Sequence, residues 1–158
     1  MGKTDETKHA ERFLYREYVQ AKIGVYGCFE VTFGNRDVWQ HGKRERVDFV
    51  TYDTDGVIRC YEIKVSKSDF NSDASLSFIG HYNYYVMPSG LYFSVKESIP
   101  NGIGVILHDI IDTRHRTPVK AKRNKVSKGT EVNIIEAMLK SLHREQLKLY
   151  QHKAYWEN

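Results

Sequence analysis

The stretch ERVDFVTYDTDGVIRCYEIKV, residues 45–65, decides how this chain reads. It holds two β-rich runs, VDFVTY (47–52) and VIRCYEIKV (57–65), joined across Asp55-Gly56. Asp-Gly readily accepts the positive φ angles of a hairpin turn, so the two runs are expected to pair antiparallel. Side chains alternate across a strand with period two. Ile58, Cys60, Glu62 and Lys64 therefore share one face, and Tyr61, Ile63 and Val65 the other. Burying either the carboxylate or the ammonium alone in so apolar a run is costly. Asp48, between Val47 and Phe49, is another charge in an apolar run, and the hairpin brings it towards Glu62. Two carboxylates at close range repel unless one is protonated or a cation lies between them. A hard divalent cation with oxygen ligands is the economical answer. Lys64 then stands beside it, as a positive charge for a developing oxyanion or a partner for the nucleophilic water. Glu-x-Lys alone is also a common surface ion pair, and it is Asp48 on the preceding strand that brings the metal reading level with that one.

The 158 residues suit one domain, and 41% hydrophobic with 28% charged residues suits a water-soluble globule. No apolar run approaches the roughly 20 residues of a membrane span, and the first residues, MGKTDETKHAERF, lack a signal peptide's apolar core. A cytoplasmic protein is expected. Cys28 and Cys60 form no CxxC and read as core residues rather than zinc ligands. A net charge of +4 permits a polyanionic partner without requiring one.

Along the chain, residues 4–22 predict an amphipathic helix capped by Thr4, with Ala10, Phe13, Leu14, Tyr18 and Ala21 on one face. Glu17 falls in the middle of that face and Glu11 nearer its edge. A carboxylate there is either directed into a site or snorkelling to solvent. Gly24 and Gly27 are expected to end the helix before a strand at 28–33. Lys43, Arg44 and Arg46 lie in the polar connection to residue 46 and suit either phosphate contact or a solvated turn. A short helix follows Ser66, and an aromatic strand spans 81–87. A helix at 89–99 then precedes the apolar strand IGVILHD (103–109). Residues 114–128 carry seven Lys or Arg and no acid, among them Lys120, Lys122, Arg123 and Lys125. That run is either a phosphate-tracking surface or a solvated stretch. A second long helix is expected at about 130–150, with Val132, Ile135, Met138, Leu139, Leu142 and Leu149 along one side.

Asp48, the turn, and Glu62-Ile63-Lys64, set in the order helix, strand, strand, strand, helix, strand, resemble the PD-(D/E)xK nuclease superfamily over residues 4–109. A narrower likeness is to small MmcB-like DNA-repair and phage-type members, carried by RVDFVTYDTDGVIRCYEIKVSKSDFNSD, HYNYYVMP and GIGVILHD. The resemblance implies an α/β fold with a restriction-endonuclease-like three-layer core, a mixed sheet flanked by helices. It implies Mg²⁺ or Mn²⁺ held by Asp48 and Glu62 with the Ile63 carbonyl as third donor, Lys64 as catalytic lysine, and Glu17, or else Glu11, completing the site. It further implies a DNA substrate hydrolysed at its phosphodiester bonds. Relatives often act as dimers, for which the long C-terminal helix is available. Val47 replaces the family's proline, and the polar Gln or Lys of the following helix has no clear counterpart at 74–80, which leaves Asp73 or His81 to fill the role. Two alternatives stand beside the nuclease: a catalytically inactive DNA-binding module of the same fold, and a protein-interaction or inhibitor module using the C-terminal helix and Trp156.

Overall fold

A computed structural model describes residues 2–33, 45–72, 78–112 and 114–157. Six strands form one open mixed sheet in the order β1 (Val25–Phe33), β2 (Glu45–Asp53), β3 (Ile58–Ile63), β4 (Tyr82–Met87), β5 (Gly104–Leu107), β6 (Arg116–Val119). The pairs β1/β2, β2/β3 and β5/β6 are antiparallel, and β3/β4 and β4/β5 are parallel. Parallel neighbours need crossovers. The first contains the short helix α2 (Lys67–Asn71) and the second contains α3 (Ser89–Val95).

The hairpin forms as the sequence predicts, with Phe49 opposite Tyr61 and Val50 opposite Cys60. Its loop is three residues long. Only Gly56 takes a positive φ, 77°, and its N–H donates to the Asp53 carbonyl at 2.9 Å. The Asp53 carboxylate accepts the Asp55 and Val57 N–H groups at 3.1 and 2.9 Å, which locks the turn.

Helices cover both faces. On one, α1 (Asp5–Tyr15) sets Ala10 and Leu14 against Phe49, Tyr61, Ile63, Val86 and Ile106. On the other, α4 (Lys128–His152) sets Ile134, Ala137 and Met138 against Cys28, Val31, Val47, Val50, Ile58 and Cys60. Beside it α3 packs on Tyr85, Met87, Val105 and Leu107. Glu62 lies level with Tyr85 on this second face, between the two clusters.

Four expectations are corrected. The α-helix stops at Tyr15 and continues as a π-helical turn, Arg16–Gln20. Its wider i→i+5 winding keeps Tyr18 and Val19 on the core but leaves Glu17 and Ala21 exposed. Gly27 lies inside β1, where a Cβ would come within 2.6 Å of Val19 and 2.8 Å of the Phe49 ring. The basic run hides an edge strand, β6, in which Pro118 is tolerated because an edge leaves N–H positions unpaired. On α4, Val132, Ile135, Leu139, Leu142 and Leu149 are exposed, and the sheet receives the smaller Ala137 and Ser141 with Ile134 and Met138. Among the described residues no helix is long and apolar enough to cross a membrane.

Candidate active site

The site forms where β2 and β3 part company. Their register would next set Asp48 opposite Glu62, but the backbone pairing ends at Phe49 and Tyr61. The Asp48 carboxylate takes over, its Oδ2 accepting the Ile63 N–H at 2.8 Å. Nearby, Glu30 on β1 has φ 53°, and Cys28 and Val31, three residues apart, face the same cluster. A left-handed residue inside a strand breaks the period-two alternation and re-aims its neighbours. Val47 and Val50 of β2 share that face in the same way, with half-buried Asp48 between them.

Glu62 is 5% exposed, and its Oε1 has no hydrogen-bond partner. Burial and the adjacent Asp48 carboxylate push Glu62 up to about 8, while Lys64 and Arg46 pull it down. Burial also raises Asp48, against the Ile63 N–H that favours its charged form. The two carboxyls hydrogen bond to each other when one is protonated. An orphaned buried oxygen beside a second raised carboxyl is a place that either a proton shared by the pair or a cation would satisfy.

Lys64 is 4% exposed and held from one side. Its Nζ donates to the Asp69 carbonyl at 3.2 Å and lies 3.7 Å from the Asp69 carboxylate. Asp69 Oδ2 also accepts the Val65 N–H at 3.1 Å, and Ser66 caps α2 by accepting the Asp69 N–H at 3.1 Å. Asp69 therefore fixes both the lysine and the chain behind it. Lys64 also lines a cleft of about 240 Å³, with Glu6, His108 and Asp109 as its other polar residues and Ala10, Ile63, Val65 and Val86 among its apolar ones.

Of the residues expected at the site, Asp48, Glu62, Ile63 and Lys64 come together, and Arg46 bears on them as a nearby positive charge. Glu17 does not join. It is exposed, and among the described residues no third His, Cys, Asp or Glu converges with the pair. Glu11 is engaged by Lys3 instead. His81 is structural: its Nδ1 accepts the Ile58 N–H at 3.0 Å, and its Nε2 is 3.4 Å from Glu131. Lys43, Arg44 and Asp73 lie outside the described residues.

Lys120, Lys122, Arg123 and Lys125 are exposed but run past the other end of the sheet. Arg123 sits 5.9 Å from the Tyr82 ring, and Asn124 N–H donates to His81 at the start of β4. Tyr82 pairs with Arg59, three registers before Glu62, which is about 10 Å along the strand. Cys28 and Cys60 are buried, and burial pushes both thiols up to about 12, as expected of core residues.

Sequence reading missed Glu6 and the pair His108 and Asp109. Glu6 lies in the first turn of α1, where the helix dipole alone favours an acid. Asp109 is committed to structure, accepting the Ser89 N–H at 2.9 Å and Arg116 at 2.8 Å. His108 Nε2 is 2.7 Å from His9 Nδ1 and its ring stacks on Phe13, a contact no sequence spacing announces.

No family model matches the chain, and no curated protein matches it. A protein of unknown function from Silicibacter pomeroyi has a similar solved structure, with a TM-score of 0.71 at 17% identity over 98% of this chain and 97% of that one. At that identity the likeness shows the fold alone.

Proposed function

We propose that this α/β chain is a metal-dependent nuclease of the PD-(D/E)xK type with a restriction-endonuclease-like core, hydrolysing phosphodiester bonds in DNA. The observation that carries the reading is the splayed end of the β2–β3 hairpin. There the half-buried Asp48 carboxyl faces the buried Glu62 carboxyl, one oxygen of Glu62 is unpartnered, and a buried lysine follows directly after the strand. These donors fit a hard divalent cation, Mg²⁺ or Mn²⁺, held by Asp48, Glu62 and the Ile63 carbonyl. Such an ion supplies Lewis-acid activation of water and neutralisation of charge at phosphorus. Asp48 does two jobs, since its Oδ2 also keeps the Ile63 N–H satisfied and so holds the strand end open. Lys64 is a fixed positive charge that orients a phosphate oxygen or the attacking water. Asp69 restrains the lysine in that position.

Cleavage of linear and single-stranded DNA with Mg²⁺ or Mn²⁺ tests the reading. Asp48→Asn and Glu62→Gln are expected to lose at least about a hundredfold in rate while remaining folded. Undiminished cleavage in both variants overturns the site assignment. A second reading is a DNA-binding module of the same fold that has lost its chemistry. It is favoured by the lack, among the described residues, of a third acidic side chain beside the pair. Salt-sensitive DNA binding without cleavage in either metal would select it.

A further inference from the structure

The cleft beside Lys64 has no part in the hydrolysis proposed above. It opens where the parallel strands β3, β4 and β5 end together, the place where open α/β sheets take their ligands. Glu6 and Ala10 of α1 close one side, and Val65, Met87 and Pro88 give it aliphatic walls. Ile63 and Lys64 belong both to the cleft and to the carboxylate site, so whatever fills the cleft lies next to that site. The lip is Ile110 and Ile111, on the chain leaving β5. Ile110 is 49% exposed and Ile111 98%. The acids on either side of them are tied back. Asp109 accepts from Arg116 at 2.8 Å, and Asp112 accepts from Arg114 Nε and Nη2 at 2.9 Å each. Two arginines thus cancel two carboxylates, and the lip can meet a polyanion as a neutral, apolar edge.

We propose that the cleft takes a single nucleobase turned out of the stack beside the phosphate to be cut, and that Ile110 and Ile111 wedge the strand open to release it. This rests on the nuclease reading and names its substrate class: DNA with an unpaired or mispaired base, rather than perfect duplex. A volume of about 240 Å³ lies below the range of pockets for drug-sized ligands and admits one flat ring, not a duplex. Exposed aliphatic side chains that slip between base steps are a recurring means of unstacking DNA. Extruded bases are held between apolar or aromatic side chains, with polar groups on their edges. Here Pro88 and Ile110 supply walls, and Glu6 is an acceptor for a base N–H. The His108 ring, steadied by His9 at 2.7 Å and by stacking on Phe13, closes the far side. Extrusion costs least where a base is mispaired or already single-stranded. Charge alone favours the opposite choice, because duplex DNA releases more counterions for each phosphate neutralised. A preference for single strands is therefore diagnostic of base capture.

Three DNAs test this with the full chain: a duplex with one mispaired fluorescent aminopurine, the matching single strand, and the perfect duplex. Binding is read in EDTA and in Ca²⁺, so the readout needs no cleavage. The wild type is expected to raise aminopurine emission on the mispaired duplex. It should bind the single strand at least about tenfold more tightly than the perfect duplex. Ile111→Ser should lose the emission rise and weaken single-strand binding at least about fivefold, with an unchanged melting temperature because Ile111 is exposed. Ile111→Leu should keep both. Ile23→Ser, as exposed but beside the hairpin turn at the opposite end of β3, should change neither. No emission rise in either buffer, or perfect duplex bound as tightly as single strand, overturns the inference; metal-dependent cleavage of perfect duplex would then leave the nuclease reading standing without it. Base capture with no cleavage in Mg²⁺ or Mn²⁺ would sustain the cleft assignment and remove the nuclease reading.

Discussion

Glu62→Gln should make this protein more stable, and only above mildly acidic pH. In the folded state Glu62 is pushed from 4.5 up to about 8 by burial and by Asp48. The unfolded chain therefore releases its proton near pH 4.5 while the folded chain keeps it. Between those values the folded state binds more protons, so stability falls as pH rises, by about 1.4 kcal/mol per pH unit for one group. Glutamine carries no charge to neutralise, and its amide donates to Asp48. By pH 8 the wild type has lost roughly 3 kcal/mol that the variant retains, allowing for the amide's own desolvation. For a chain of this size that is about 6–12 °C in melting temperature. At pH 5 the two proteins should melt within about 2 °C of each other. Thermal denaturation of both proteins in EDTA at pH 5 and pH 8 reads the difference. A variant no more stable at pH 8 than at pH 5, relative to wild type, would show that the Glu62 carboxylate is already satisfied and would refute the electrostatic reasoning.

Two further expectations concern the frame and the DNA path. Gly104→Ala places a Cβ 2.5 Å from the Tyr84 ring and 2.9 Å from the Ala121 backbone nitrogen, so it should cost about 2–3 kcal/mol in urea denaturation. Gly90→Ala, in α3 with nothing within 4 Å, should gain up to about 1 kcal/mol in the same assay. If the chain cuts DNA at the carboxylate pair, Arg46→Ala should raise KM several-fold and flatten the log Kd against log salt slope by about 1. Lys125→Ala, at the far end of the sheet, should leave the cleavage rate within about twofold. The reverse order would place the DNA along the basic run instead.

What could be read from the sequence was whatever obeyed a period. The hairpin and the approach of Asp48 to Glu62 follow from alternation across two strands and a turn dipeptide: the observed register ends one pair short of setting them opposite, and Glu62 is buried. Glu17 was misread because a helical wheel assumes constant winding, and the π-helical turn beginning at Arg16 breaks it. Strand β6 was hidden because it opens on Arg116 within a basic run and holds Pro118, and an edge strand needs no apolar signature. On α4 the larger aliphatic side chains drew attention to the stripe that the sheet does not use. Ala137 and Ser141, small enough to let the helix approach β1, gave a weaker signal. The kink at Glu30, which re-aims side chains beside the site, has no local sequence mark, since a positive φ at glutamate is set by the surrounding strands.

Calorimetric titration of Mn²⁺ into the wild type and Glu62→Gln addresses the central claim, that the Asp48–Glu62 carboxyl pair holds a divalent cation. The account predicts one site per chain in the wild type. Its binding should release a proton at pH 7, because Glu62 must lose one to ligate, and its affinity should fall at least about tenfold in the variant. Equal binding in both proteins, or no binding to the wild type with and without DNA, would contradict it.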